Sequence, residues 1–426
     1  MTTGIVATAG VSDGSYNDKR ERGGSMRATK RWCGRFATWM AAAFWLAGGF
    51  ASAADPILLG LDAEFGHKTS TSAQSIRQGM EIAIDEINAA GGLLGGRKLE
   101  LVVRDNRSIP AIGVDNLREL AGMPDLVGVF GGKFSPVIQE WLPVAHELGI
   151  PVFATWSSAN SITDHDRRPS WSFRLSMKDA WAAPVMLRYA RDVLKVRKVG
   201  VLVPNTVWGR SNSASLRNST PALGMTIVDE RWYNWGDATL KPQLQELLAA
   251  GAGAIVLVAN EVEGSLFVRE MAELSRDKRV PIVSHWGITG GMFTEMSGPA
   301  LEQVNIAVVQ SYSFVGDDSA TARRVLAALR HKYGIDHAEN VKGPVGVAHA
   351  YDLVHLVALA ISKAGSTDRG RVRDALEQLG SHQGLVRRYV RPFTPDDHDA
   401  LSAGQVFMAR YASGDRLIPI ERRKAR

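Results

Sequence analysis

The chain has 426 residues, 45% of them hydrophobic and 22% charged, proportions that exclude a disordered or fibrous protein. Its length exceeds what one hydrophobic core usually serves, so two domains are expected. The net charge of +6 is largely amino-terminal: from Asp55 onward 43 Lys/Arg stand interspersed among 41 Asp/Glu, leaving +2, and a nucleic-acid partner is not expected.

In chain order, the first feature is an address label. Arg27, Lys30, Arg31 and Arg35 form a basic region, residues 36–50 an apolar run, and Ala51-Ser52-Ala53-Ala54 a run of small residues before Asp55. This is the pattern of a cleavable export leader, so residues 1–54 are set aside and a periplasmic location is expected. The apolar run is shorter than the roughly 20 residues of a spanning helix. Residues 1–25 fit no part of a leader, and Met26 is the expected start. The single cysteine, Cys33, lies before the apolar run, so thiol catalysis, disulfides and cysteine metal sites are excluded from the exported chain.

Beyond Asp55, short apolar runs alternate with amphipathic stretches. Ile57–Leu61 reads as a strand; Ile76, Met80, Ile84 and Ile87 recur at helical spacing until Gly91-Gly92. Leu99–Val103, a helix opened by Pro110, Leu126–Phe130, a helix from Pro136 to Leu148, and Ile150–Ala154 follow. A second series begins at Lys198–Val203 and continues with a helix near Ser213–Leu223, a strand at Met225–Trp232, a helix at Lys241–Ala249, a strand at Ala254–Ala259, a helix at Val262–Leu274 and a strand at Val280–Ser284. After a strand at Asn305–Tyr312 come helices at Ala320–Tyr333, Val345–Lys363 and Val372–Leu379, then strands at Val386–Arg391 and Val406–Tyr411. Strands apolar on both faces and separated by helices predict parallel sheets covered on both sides: an α/β protein of two doubly wound halves.

Catalytic signatures are missing. Gly131-Gly132-Lys133 runs into Phe134 and lacks the spacing of a phosphate loop; no dinucleotide fingerprint, zinc-helix motif or nucleophile elbow occurs. The ten histidines are scattered. His398 beside Asp396, Asp397 and Asp399 is the nearest approach to a metal site, and a solvated turn explains it more simply. Neither a metal nor a cofactor is expected, and the chain does not read as an enzyme.

Two stretches carry a family resemblance. Residues 79–92 (GMEIAIDEINAAGG) with Gly96-Arg97-Lys98-Leu99, and residues 129–163 with Phe-Gly-Gly-Lys-Phe-Ser and Leu-Gly-Ile-Pro-Val-Phe-Ala-Thr-Trp-Ser-Ser-Ala-Asn, resemble the branched-chain amino-acid type of periplasmic solute-binding protein. The resemblance implies two α/β lobes joined by a three-crossing hinge: lobe one at 55–175 plus 312–384, lobe two at 176–311 plus 385–426. The crossings would fall near Leu175–Lys178, Ser311–Phe314 and Gly384–Arg388. It also implies a small-molecule ligand, an amino acid or another small carboxylate, delivered to an ABC transporter permease by a monomer. A ligand-sensing receptor of the same fold, and less readily an exported α/β enzyme, remain the alternatives.

By the same resemblance Ser135 matches the position whose hydroxyl holds a ligand carboxylate. A serine before Pro136 at a helix start suits an anion, and equally suits a plain N-cap. Trp156 and Ser158 match a second binding loop of lobe one. In lobe two Trp208 stands where the family commonly has tyrosine, Asn260 replaces a frequent aromatic, and Trp286 falls where amino-acid binders place an acid for the ligand's ammonium. Glu261 and Glu263 are the alternative partners for such an ammonium, or simply acids at a helix start. An indole wall in place of an acid favours a carboxylate with an apolar or aromatic body and no need of an α-amino group.

Overall fold

The computed structural model describes residues 55–412 and 416–420. The expected leader with Met26 and Cys33, and the basic tail at Arg422–Arg426, lie outside the described residues. The first series of elements is β1 (Ile57–Ala63), α1 (Ser72–Ala89), β2 (Leu99–Asp105), α2 (Pro110–Ala121), β3 (Leu126–Gly131), α3 (Ser135–Leu148), β4 (Val152–Ala154) and β5 (Ser172–Arg174). Their five strands form one parallel sheet in the order β2-β1-β3-β4-β5, with Leu59 level with Leu101 and Leu61 with Phe130.

The second series is α4 (Asp179–Asp192), β6 (Lys198–Pro204), α5 (Val207–Leu223), β7 (Thr226–Tyr233), α6 (Lys241–Ala249), β8 (Ala254–Leu257), α7 (Glu261–Glu273), β9 (Ile282–Ser284), α8 (Phe293–Ser297) and β10 (Ile306–Gln310). Within its seven-stranded sheet the run β7-β6-β8-β9-β10 repeats the winding of the first. The chain then adds α9 (Ala320–Tyr333), α10 (Pro344–Ala364), α11 (Arg369–Leu376), a small ribbon of β11 (His382–Gln383) and β12 (Arg388–Tyr389), and the hairpin β13 (Phe407–Ala412) and β14 (Arg416–Pro419). That hairpin joins β10 antiparallel and covers the edge of the second sheet. The fold is thus the two-lobed, doubly wound α/β architecture expected.

Burial explains the strand sequences. From Val199 to Pro204 β6 is buried throughout, as are β3, β8 and β10, because helices cover both faces. Helix α10 is long and apolar enough to cross a membrane by composition, but 83% of its apolar window is buried inside the protein, and it is a core helix. It lies on α1 so closely that a Cβ at Gly79 would stand 2.1 Å from the Val347 carbonyl oxygen, which is why the amino-terminal motif begins on glycine.

Several expectations need correction. Helix α4 and strand β5 were not anticipated. The strand expected at Val386–Arg391 shrinks to the two residues of β12, because Asp352 of α10 pulls the loop inward, accepting from the amides of Leu385 and Val386 and from the Tyr389 hydroxyl. Further on, residues 398–400 bond along β5, Arg174 N–H to the His398 carbonyl and Ala400 N–H to the Arg174 carbonyl. Nor is the stretch at Asp396–Asp399 a solvated turn throughout. His398 stacks on Phe173 at 4.1 Å and bonds Glu377, while Asp399 is buried against Arg174 (2.5 Å) and Lys178 (3.0 Å). No group of three or more metal-ligating side chains exists among the described residues.

Candidate functional site

Open α/β sheets present ligands at the carboxyl ends of their strands, beside the point where the winding reverses. Here two such ends face each other. Leaving β3, the chain runs through Lys133 and Phe134 into α3, and leaving β4 it passes Trp156 and Ser158. From the opposite lobe come Trp208 in the first turn of α5, Trp235 after β7, Asn260 at the N-cap of α7, and Trp286 with Gly287 after β9. All of these residues and Ser135 line one interlobe pocket. The walls nearly meet: the space between them is about 10 Å³, room for a single water molecule. A larger solute enters only when the lobes part, the hinge motion of two-lobed folds of this kind.

Ser135 is the first residue of α3, with Phe134 in the N-cap position, so it is not the N-cap that the sequence allowed. Its buried hydroxyl accepts the Ala159 amide at 3.3 Å, tying the helix start to the loop after β4 and leaving the hydroxyl proton free to donate. Ser158 accepts through its carbonyl from the Asp179 amide at 3.0 Å, at the start of α4. Trp156 and Trp286 are each 1% exposed. The indole N–H groups of Trp156, Trp208 and Trp235 are buried with no hydrogen-bond partner among the described residues.

Three acids near the cleft, Glu261, Glu263 and Glu64, are engaged elsewhere. Glu261 takes the Lys133 ammonium at 2.5 Å and the Thr69 hydroxyl at 3.0 Å. Glu263 turns to the Gly236 amide at 3.2 Å, and burial pushes its carboxyl above the usual range. Glu64 accepts from the Ser70 and Ser72 hydroxyls and the Lys133 amide. Asp179 lies fully buried 3.1 Å from His285, whose ring meets that of Trp208 edge to face, and its carboxylate oxygens have no hydrogen-bond partner among the described residues. No acid lines the pocket itself.

The lobes are also strapped at the mouth. The Thr71 amide donates to the Gly290 carbonyl at 2.9 Å and the Met292 amide to the Thr69 carbonyl at 2.8 Å, with Ser70 and Gly291 forming an antiparallel bridge. On another side Asn160 bonds Ser211 and Ser215 of α5, each at 2.9 Å. Sequence reasoning missed Lys133, Phe134, Trp235 and Gly287. An aromatic directly after a strand's carboxyl end was the signal for Trp235; nothing local marked Lys133 as the partner of a residue 128 positions away.

Comparison with known proteins agrees with this geometry. A family model described as periplasmic binding protein matches residues 64–415. The Leu/Ile/Val-binding protein homolog 3 of Brucella melitensis is 25% identical over 327 residues, which cover 75% of this chain and 83% of that protein. Among solved structures, a periplasmic binding protein type 1 from Bordetella pertussis Tohama I superposes with a TM-score of 0.75 at 23% identity, covering 86% of this chain and 100% of the other. A solute-binding protein of an R. palustris ABC transporter, in complex with 4-hydroxybenzoate, superposes with a TM-score of 0.71 at 17% identity, covering 86% and 96%. A two-lobed α/β chain whose facing strand ends line one interlobe cleft, matched by this model over most of its length, belongs to the periplasmic binding protein family, in its branched-chain amino-acid type, and is a solute-binding protein rather than an enzyme.

Proposed function

We propose that this protein captures a small aromatic carboxylate between its lobes and delivers it to an ABC importer, with no requirement for an α-amino group on the ligand. The observation that carries the reading is the lining of the cleft: four indoles and a phenyl ring, no acid, and both Glu261 and Glu263 committed to partners of their own. A buried ammonium without an anionic partner costs several kcal/mol, so an amino acid has no counter-charge here. A ring burying on the order of 150 Å² against indoles gains about 4 kcal/mol. Ser135, Ser158 and the amides at the start of α3 supply the anion end, where the helix dipole favours negative charge. That the relatives include both a Leu/Ile/Val-binding homolog and a 4-hydroxybenzoate complex leaves either cargo compatible with the fold.

A competition experiment tests the reading. Calorimetry of the purified protein should find benzoate, 4-hydroxybenzoate or 3-phenylpropionate bound and free leucine and phenylalanine bound weakly. If either amino acid binds more than about a hundredfold more tightly than its des-amino analogue, an ammonium site exists and the reading fails. Export is part of the proposal, supported by the small-residue run before Asp55. Mass spectrometry of periplasmic protein should give an amino terminus at Ala54 or Asp55, and an intact apolar segment would refute cleavage.

A further inference from the structure

We infer that Lys133 is a specificity-determining residue: its side chain fills the cleft's cation site from within, so that a ligand bringing its own ammonium is refused. The inference rests in part on the proposed function, since it explains why an otherwise suitable acid does not serve an amino acid.

The Lys133 ammonium occupies a cage of three kinds of cation partner. The Glu261 carboxylate stands 2.5 Å away, the Gly290 carbonyl 3.2 Å, and the centroid of the Phe134 ring 5.2 Å. Carboxylate, carbonyl and aromatic face are the set that recognises an ammonium group. The site is built across the cleft. Lys133 and Phe134 follow β3 of one lobe, whereas Glu261 opens α7 and Gly290 follows β9 of the other. Lys133 and Glu261 have side chains only 2% and 0% exposed, so the pair is sealed when the lobes meet. The stem of Lys133 passes where a Cβ on Gly290 would come within 2.9 Å of its Cδ, so glycine is what lets the lysine reach in. Lys133 and Phe134 line the ligand pocket, as does Asn260 next to Glu261, so the lysine stands between the pocket and the Glu261 carboxylate behind it.

Removing the lysine side chain should therefore expose an ammonium site to the cleft. The test uses Lys133→Ala and the double variant Lys133→Ala/Glu261→Gln beside the wild type, with two readouts. In the first, methylammonium chloride is compared with potassium chloride at equal ionic strength in thermal melts. A methylammonium-specific rise of several degrees is expected in Lys133→Ala alone, and its absence there overturns the inference. Should Lys133→Ala not fold in potassium chloride, recovery of soluble protein on refolding in methylammonium replaces the melting shift and is read in the same way. In the second, the ratio of affinities for free phenylalanine and 3-phenylpropionate is measured by calorimetry. It should move toward phenylalanine by at least tenfold in Lys133→Ala and stay at the wild-type value in the double variant; an unchanged ratio in folded Lys133→Ala overturns the role in specificity. If the wild type already prefers phenylalanine, the aromatic-carboxylate reading falls and the specificity role with it, while the methylammonium melts still decide whether Lys133 fills a cation site.

Discussion

The indole rings of Trp156 and Trp286 meet across the cleft with centroids 5.9 Å apart and planes inclined at 54°. Trp156 is held from behind by α10, where a Cβ on Gly346 would come within 2.7 Å of its ring, so it has no room to retreat. Trp286 has its other neighbours in His285 and His349. A flat ligand that parts the two rings exchanges one tilted contact for stacking on two faces.

Trp286→Ala should therefore weaken binding of an aromatic carboxylate by about 2 kcal/mol, roughly thirtyfold in Kd, and Trp286→Phe by less than half of that. Calorimetry with benzoate and with cyclohexanecarboxylate checks the cause. If both ligands lose the same amount, Trp286 supplies bulk rather than stacking.

Ser135→Ala should reduce affinity for the carboxylate by about 1–3 kcal/mol, the cost of removing a donor from a charged hydrogen bond. Stability should fall by only about 1 kcal/mol, because the hydroxyl's present duty is one bond from the Ala159 amide at 3.3 Å. Unchanged affinity with reduced stability in denaturant titrations would limit the residue to holding the start of α3.

A third expectation concerns pH. The fully buried His349 joins α10 to the chain leaving β4 and β10: its Nδ1–H donates to the Thr155 carbonyl at 2.9 Å, and its Nε2 accepts the Ser311 hydroxyl at 3.0 Å. Both bonds suit the neutral ring, and burial lowers its pKa to about 4 although the Thr155 bond opposes the shift. An unfolded histidine protonates near pH 6.5, so below that value the unfolded state takes up a proton that the fold refuses. The His349 contribution is thus fully present above about pH 6.5 and declines toward pH 4, by about 3 kcal/mol over the whole window. Asp62 works in the opposite sense: burial raises it to about 7, so its contribution falls as pH rises from about 4 to 7. The difference between wild type and His349→Asn in denaturant midpoints isolates the histidine and should shrink as pH is lowered from 6.5 to 4. A difference independent of pH would contradict this.

The alternation of buried strands with amphipathic helices was legible because both faces of each sheet are covered, as in β6 and β8, where polarity offers no competing pattern. Helix α4 was not, since Pro184 inside it reads as a break although Ala182, Met186, Leu187 and Ala190 are buried at helical spacing. Strand β5 is three residues long, too short to leave a period. Ser135, Trp156, Ser158, Trp208, Asn260 and Trp286 were singled out by position in a family pattern, and they share one cleft because each follows the carboxyl end of a strand. The fate of Glu261 was illegible: helix-start acid and ligand partner were the readings open, and the deciding residue belongs to the other lobe.

The strap at the cleft mouth is made of main chain. Thr69, Thr71, Gly290 and Met292 contribute amides and carbonyls, and the only residue types it demands are glycines at 290 and 291, where a Cβ would strike Lys133 or the Thr69 carbonyl. The strap's main-chain bonds are therefore independent of the indole walls of the cleft, although Lys133 reaches the same Gly290 carbonyl. Wall residues such as Trp208 or Trp286 can be exchanged for others without altering the backbone bonds that clasp the lobes.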